Sequence, residues 1–139
     1  MRFDLYPRIG VGPLNFGLSR SEIESVLGIK PHSFLRNQFS QSMTDHFEML
    51  RLFVYYDKFD CAEAFEFPAD ADLELKNVQL CGLSAQAFAR AVELDSAFEV
   101  SEDSVGSERL CVSAYYPGLS KDQSAPQQSV IVYKPGYFN

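Results

Sequence analysis

The sequence predicts an α+β domain in which an antiparallel sheet carries two short helices packed on one face. Two segments with helix-capping signals predict the helices, and alternating apolar segments joined by short polar turns predict the sheet. The length supplies a third constraint. At 139 residues the chain fits one domain and can bury a core without disulfides or metals.

The first helix is the most fully specified element. Ser19 stands as an N-cap, and Glu22 three residues later completes a capping box. Leu18 before the cap and Ile23 after it match a hydrophobic staple, while Ile23, Val26 and Leu27 form one apolar stripe. Gly28 supplies a left-handed stop, with Pro31 close behind. The second helix repeats this plan. Gly82-Leu83-Ser84 opens it as Gly17-Leu18-Ser19 opens the first, Leu83 and Phe88 take the staple positions, and Ala91 and Val92 continue the stripe.

The strands follow each helix. Leu50, Leu52, Val54 and Tyr56 alternate towards the core, with Arg51 and Asp57 on the other side. Lys58-Phe59-Asp60 makes a turn, and residues 61–67 return as a second strand ended by Pro68. In the second half, residues 97–100 and 110–116 flank a polar turn holding Gly106, and residues 130–133 close the chain after a Gly/Pro/Ser/Gln-rich loop. Short turns make neighbours antiparallel, because a parallel pair needs a long crossover. Each half reads as lead-in strand, capped helix and antiparallel strands. That plan fits an internal repeat of 9–68 and 78–134, although Gly-Leu-Ser before a helix is also ordinary capping chemistry. The sheet face away from the helices is left for solvent or a partner.

Hydrophobic residues make up 46% of the chain and charged residues 22%, the balance of a globular protein. Aromatic residues reach 14% with no Trp, so Phe and Tyr supply the bulky core. With 12 basic against 19 acidic residues the net charge is −7, which repels phosphate backbones and argues against a nucleic-acid partner. The same field either steers a basic protein partner or simply confers solubility. No apolar run suits a bilayer span, and residues 1–8 lack the apolar region of a secretory signal, so no membrane role is expected. Cys61, Cys81 and Cys111 are odd in number and scattered among apolar neighbours, which fits core residues of a reducing compartment. The expected location is the cytoplasm.

Catalytic chemistry finds little support. His32 follows Pro31 in an expected loop, His46 stands beside Asp45, and neither has metal-ligand spacing to another His or Cys. A thiol nucleophile would need a histidine brought to a cysteine by the fold. Gly10-Val11-Gly12-Pro13 lacks the Lys-Ser/Thr of a phosphate loop, and Pro13 interrupts its N–H donors. Glu63 with Glu66, and the run from Asp70 to Glu74, would serve as acid–base pairs only in a shared cleft. No catalytic residue, cofactor or metal is therefore expected.

Binding is better supplied. Asp57, Asp60, Glu63, Asp70, Asp72 and Glu74 gather in the middle of the chain, with a second acidic group at Glu99, Glu102 and Asp103. Phe53 and Tyr55 fall on the strand face opposite Leu52 and Val54, and Tyr115 opposite Val112 and Ala114. Rings beside carboxylates compose either a partner-binding surface or cross-strand packing.

The segment Gly12 to Gly28 resembles the G-x-x-x-F-G-[ML]-S-x-x-E-[VI]-x-x-x-L-G opening of small bacterial proteins, as does the strand around Val54-Tyr55-Tyr56-Asp57. Some of those are immunity proteins of contact-dependent and other polymorphic toxin systems. The tandem helix-on-sheet plan is also similar to beta-lactamase-inhibitor proteins and to the outer-membrane assembly lipoprotein module. The sequence shows neither the lipobox cysteine of the lipoproteins nor the paired cysteines of the lactamase inhibitors. The immunity branch therefore fits better. It implies a cytoplasmic inhibitor that occludes a cognate toxin, with a basic nuclease suiting the charge. The alternative is a small-ligand or regulatory module with a pocket between helices and sheet, and an enzyme stands third.

Overall fold

Ser19 and Ser84 start the two helices. The Ser19 hydroxyl accepts from the Glu22 amide at 3.2 Å and the Glu22 carboxylate accepts from the Ser19 amide at 3.0 Å, which completes the box before α1 (Arg20–Leu27). Gly28 ends α1 at φ 70°, a left-handed conformation that costs glycine no steric penalty. The Ser84 hydroxyl accepts from the Ala87 amide at the start of α2 (Ala85–Ala91).

The computed structural model describes residues 1–93 and 103–138. Its strands are β1 (Phe3–Tyr6), β2 (Gly10–Val11), β3 (Leu14–Asn15), β4 (His32–Phe34), β5 (Thr44–Phe47), β6 (Leu52–Tyr56), β7 (Ala62–Pro68), β8 (Leu73–Leu75), β9 (Val78–Gln79), β10 (Ser104–Ser107), β11 (Val112–Tyr115) and β12 (Ser129–Tyr133). The α+β class holds, and the strands divide between two sheets instead of one. A small sheet runs β3-β2-β1-β8-β9 and a large one runs β10-β11-β12-β7-β6-β5-β4. The large sheet is antiparallel throughout. In the small sheet β1 and β8 pair parallel, Phe3 opposite Leu73, because the long connection between them supplies the crossover that a parallel pair needs.

One core lies between the inner face of the large sheet, both helices and the small sheet. It takes Leu52, Val54, Phe65, Phe67, Val112, Val130 and Val132 from the large sheet, Ile23 from α1, Phe88 from α2, and Phe3, Val11, Leu14 and Leu73 from the small sheet, all fully buried. Phe3 meets Phe67 at 5.4 Å between ring centroids, and Phe16 stacks on Phe65 at 5.3 Å. Buried polar groups at the α2 entrance are satisfied. Tyr116 donates to the Leu83 carbonyl at 2.8 Å, and Gln127 donates to the Leu80 carbonyl while accepting from the Gly82 amide.

Some local expectations change. Gly106 lies inside β10, where its partner Ser113 leaves no room for a Cβ, and the turn falls after it. His32 sits on β4 instead of in a loop, because residues 32–34 find a pairing partner in β5 with His32 directly opposite His46. Cys81 and Cys111 are buried as expected, but Cys61, beside a turn, is only half-buried. Burial pushes the Cys81 thiol up to about 12, with Asp72 and Asp70 adding to it. The expected strand at 97–100 and the acids Glu99 and Glu102 lie outside the described residues.

Candidate functional site

The strand pattern of β6 turns Leu52, Val54 and Tyr56 inward and Phe53 and Tyr55 outward, so the outer face of the large sheet is built from the alternate residues. Cross-strand pairing lines them up. His32, His46, Phe53, Glu66, Ile131 and Ser113 form one row, with Tyr55, Ala64 and Tyr133 in the next. His46 stacks on Phe53 at 4.1 Å with ring planes 2° apart, and Phe34 meets Phe53 edge-on at 6.4 Å.

Tyr55 corrects the expectation of an open ring, since only 8% of it is exposed. Arg36, from the segment after β4, lays its Cζ 4.0 Å above the Tyr55 ring centroid. The Tyr55 hydroxyl donates to Glu66, which also accepts from the Ser129 hydroxyl at 2.7 Å. Burial, reinforced by the Glu66 carboxylate, raises the Tyr55 phenol well above its ordinary range. Tyr55 joins Ala64, Cys111 and Tyr133 in a small second core, against which Phe53, Ile131 and Tyr137 pack. Phe53 is half-buried, and Tyr115 remains 40% exposed.

Beside this cluster opens a cleft of about 490 Å³, lined by Arg36, Tyr55, Tyr56, Asp57, Lys58, Phe59, Glu63 and Lys134 together with side chains of the 40–44 segment. The fold thus brings Tyr55, Asp57 and Glu63 of the expected set together, because the β6–β7 hairpin holds all three. Asp57 caps its own turn, accepting from the Phe59 amide at 2.9 Å and the Cys61 amide at 3.1 Å. Lys134 stands 3.9 Å from both Asp57 and Glu63, beyond direct hydrogen bonding. Burial pushes the Glu63 carboxyl up, Lys134 opposes this, and the Asp57 charge adds to it. A second hollow of about 250 Å³ lies between Phe53, Tyr55, Glu66, Pro68, Gln128 and Ser129 on the same face.

The remaining expected residues are dispersed, each with an internal partner. Asp60 pairs with Arg20 at 3.3 Å and accepts from Ser42. Asp70 pairs with Arg51 at 2.9 Å, Asp72 accepts from the Gln79 side-chain Nε2 at 2.8 Å, and Glu74 in the small sheet faces Arg2 at 3.7 Å. Asp103 accepts from the Gly118 and Ser120 amides, and those bonds lower its carboxyl.

Three rings absent from the sequence-based set stand more exposed than any in it. Phe39 is 82% exposed, Phe59 74% and Phe138 65%. Phe59 lines the cleft, Phe39 precedes cleft-lining Ser40, and Phe138 packs edge-on against Tyr133 at 4.7 Å beside Lys134. The signal for Phe39 and Phe59 is a lone ring among polar neighbours, Asn37-Gln38-Phe39-Ser40 and Lys58-Phe59-Asp60, whereas Phe138 follows Tyr137 and carries no such signal.

A buried carboxylate supports this edge of the sheet. Asp45 is fully buried on the inner face, paired with Arg20 and accepting from the Tyr56 hydroxyl at 2.8 Å and the Ser33 hydroxyl at 2.6 Å. Arg20 also donates to the Met43 carbonyl at 2.8 Å and stacks 4.2 Å above Tyr56. The network ties α1 to β4, β5 and the 40–44 segment that walls the cleft. Among the described residues no cluster of three or more His, Cys, Asp or Glu is placed to hold a metal ion, and no helix is long and apolar enough to cross a membrane. Comparison with protein-family models, curated protein sequences and solved structures returns no match for this chain.

Proposed function

We propose that the chain is an immunity-type protein of the cytoplasm, which binds a cognate toxin through the outer face of the large sheet and neutralises it by occlusion. One observation carries this reading. Phe59 stands in water on the lining of the cleft, Phe39 is exposed on the segment that walls it and Phe138 on the outer-face ring Tyr133, while Phe3, Phe47, Phe65, Phe67 and Phe88 are completely buried. Covering one such ring contributes on the order of 1.5–3 kcal/mol, and clustered exposed rings are the usual anchors of a protein interface.

Phe53, Tyr115, Asp57 and Glu63 extend this surface with rings and carboxylates, and Asp60, held by Arg20, lies in the turn next to Phe59. Asp70, Asp72 and Glu74, each held by an internal partner, act through the net charge of −7. That field speeds encounter with a basic partner, and a basic nuclease suits it. Buried Tyr55 is the rigid floor, fixed by Arg36 and Glu66.

Protection is the test. The product of the neighbouring reading frame should arrest growth when expressed alone and cease to do so when this chain is co-expressed. A neighbour without toxicity, or arrest that persists with the chain present, contradicts the reading.

A further inference from the structure

We propose that the cleft beside β6 also binds a small organic carboxylate with an aromatic or apolar body. Arg36 and Lys58 would hold the carboxylate, and Phe59 with the Tyr55 and Tyr56 edges would hold the body. This goes beyond protein docking and does not depend on it.

Size and charge both point this way. A volume of about 490 Å³ falls in the range of small-molecule sites. Three cations, Arg36, Lys58 and Lys134, line the cleft against two carboxylates, Asp57 and Glu63, which reverses the acidic balance of the whole chain. Both acids face Lys134 at 3.9 Å, and Asp57 is also tied to its own turn through its other oxygen.

Arg36 over Tyr55 and Lys58, 5.2 Å above the Phe59 ring centroid, contact rings and form no ion pair among the described residues. Arg36 stands against Tyr137 and within the field of Glu63 and Glu66, and Glu66 already accepts from the Tyr55 and Ser129 hydroxyls. Stacking on Tyr55 fixes the guanidinium plane before any ligand arrives, so less side-chain freedom is lost on binding. A cationic ligand would meet surplus positive charge. A bare inorganic anion would leave the Phe59 ring in water.

A proton–nitrogen correlation spectrum recorded during titration tests the assignment, with phenylacetate, phenylacetamide and inorganic phosphate as probes. Phenylacetate should give saturable shifts at the amides of residues 36–44 and 55–63. It should bind about tenfold more tightly than phenylacetamide, the factor expected for a charge-assisted hydrogen bond. Phosphate should bind more weakly than phenylacetate, and R36Q/K58Q should weaken phenylacetate by about tenfold or more. The single variant K58Q, at an exposed turn, gives a partial loss and keeps the test valid should the double variant unfold. The proposal is overturned by shifts that do not saturate in the millimolar range or that map elsewhere. Equal binding of the acid and its amide, equal binding of phosphate, or variants that bind like the parent would overturn it as well.

Discussion

Arg36 lies flat above Tyr55, its guanidinium carbon 4.0 Å from the ring centroid, and together with Tyr133 and Tyr137 it buries an outward-facing strand residue. The ring supplies area and the hydroxyl supplies a bond to Glu66, so the two parts can be separated by mutation. Y55F keeps the stack and leaves Glu66 its Ser129 donor, so the expected loss is about 1 kcal/mol. Y55A removes the floor of the second core and should cost about 3–5 kcal/mol. Urea denaturation of both variants checks this, and equal losses would contradict a packing role for the ring.

Arg20 and Asp45 form the other fixed point. Removing Asp45 leaves Arg20 with the exposed Asp60 as its carboxylate and withdraws the acceptor from Tyr56 and Ser33, so D45A should lose about 3 kcal/mol. R20A leaves Asp45 buried with only neutral donors, and the double variant should cost less than the two losses added together. Denaturant midpoints of the four proteins close the cycle. Additive losses would mean that the pair is not coupled.

Alkaline behaviour follows from buried phenols. Tyr55, Tyr56, Tyr116, Tyr133 and Tyr137 are all raised from 10.0, each chiefly by burial, and Tyr116 reaches about 12. In the unfolded chain these phenols ionise near the ordinary value, so above about pH 10 the unfolded state sheds protons that the folded state keeps. Stability should therefore fall as pH rises beyond that point. Phenolate absorbance should show most of the seven tyrosines ionising only as the chain unfolds. Smooth titration of all seven in the folded state would contradict the burial described.

The helix starts were legible because their causes are local. Ser19 and Glu22 satisfy one another within a single turn, and S19A should cost about 1 kcal/mol by calorimetry. The β6–β7 hairpin was equally open to reading, since Leu52, Val54 and Tyr56 alternate as expected, although Leu50 falls in a 3-10 turn (Glu48–Leu50) before the strand, with Arg51 left-handed between them. Strands β2, β3 and β9 span two residues each and carry no period, so nothing local announced a second sheet. The β1–β8 pair joins residues far apart in the chain, and only the fold specifies it. The same distance hid the site. Arg36 covers Tyr55 from a loop, Arg20 meets Asp45 across the β4–β5 hairpin, and Lys134 reaches Asp57 and Glu63 from the far end of the chain. The outward face of Tyr115 is legible because buried Val112 and Ala114 set the alternation.

Exposed rings should matter for partner binding and hardly at all for folding. F39A and F59A each remove a side chain lying mostly in water, so their melting temperatures should stay close to that of the parent. A marked drop in either would show that the ring belongs to the folded core.

Calorimetric titration of the purified toxin from the neighbouring reading frame with the parent chain and with F39A/F59A is the most direct measurement. Nanomolar binding that weakens with salt, and a loss of about a hundredfold or more in the double variant, is the predicted result. A double variant that binds and protects as well as the parent would contradict the claim that these rings anchor the partner.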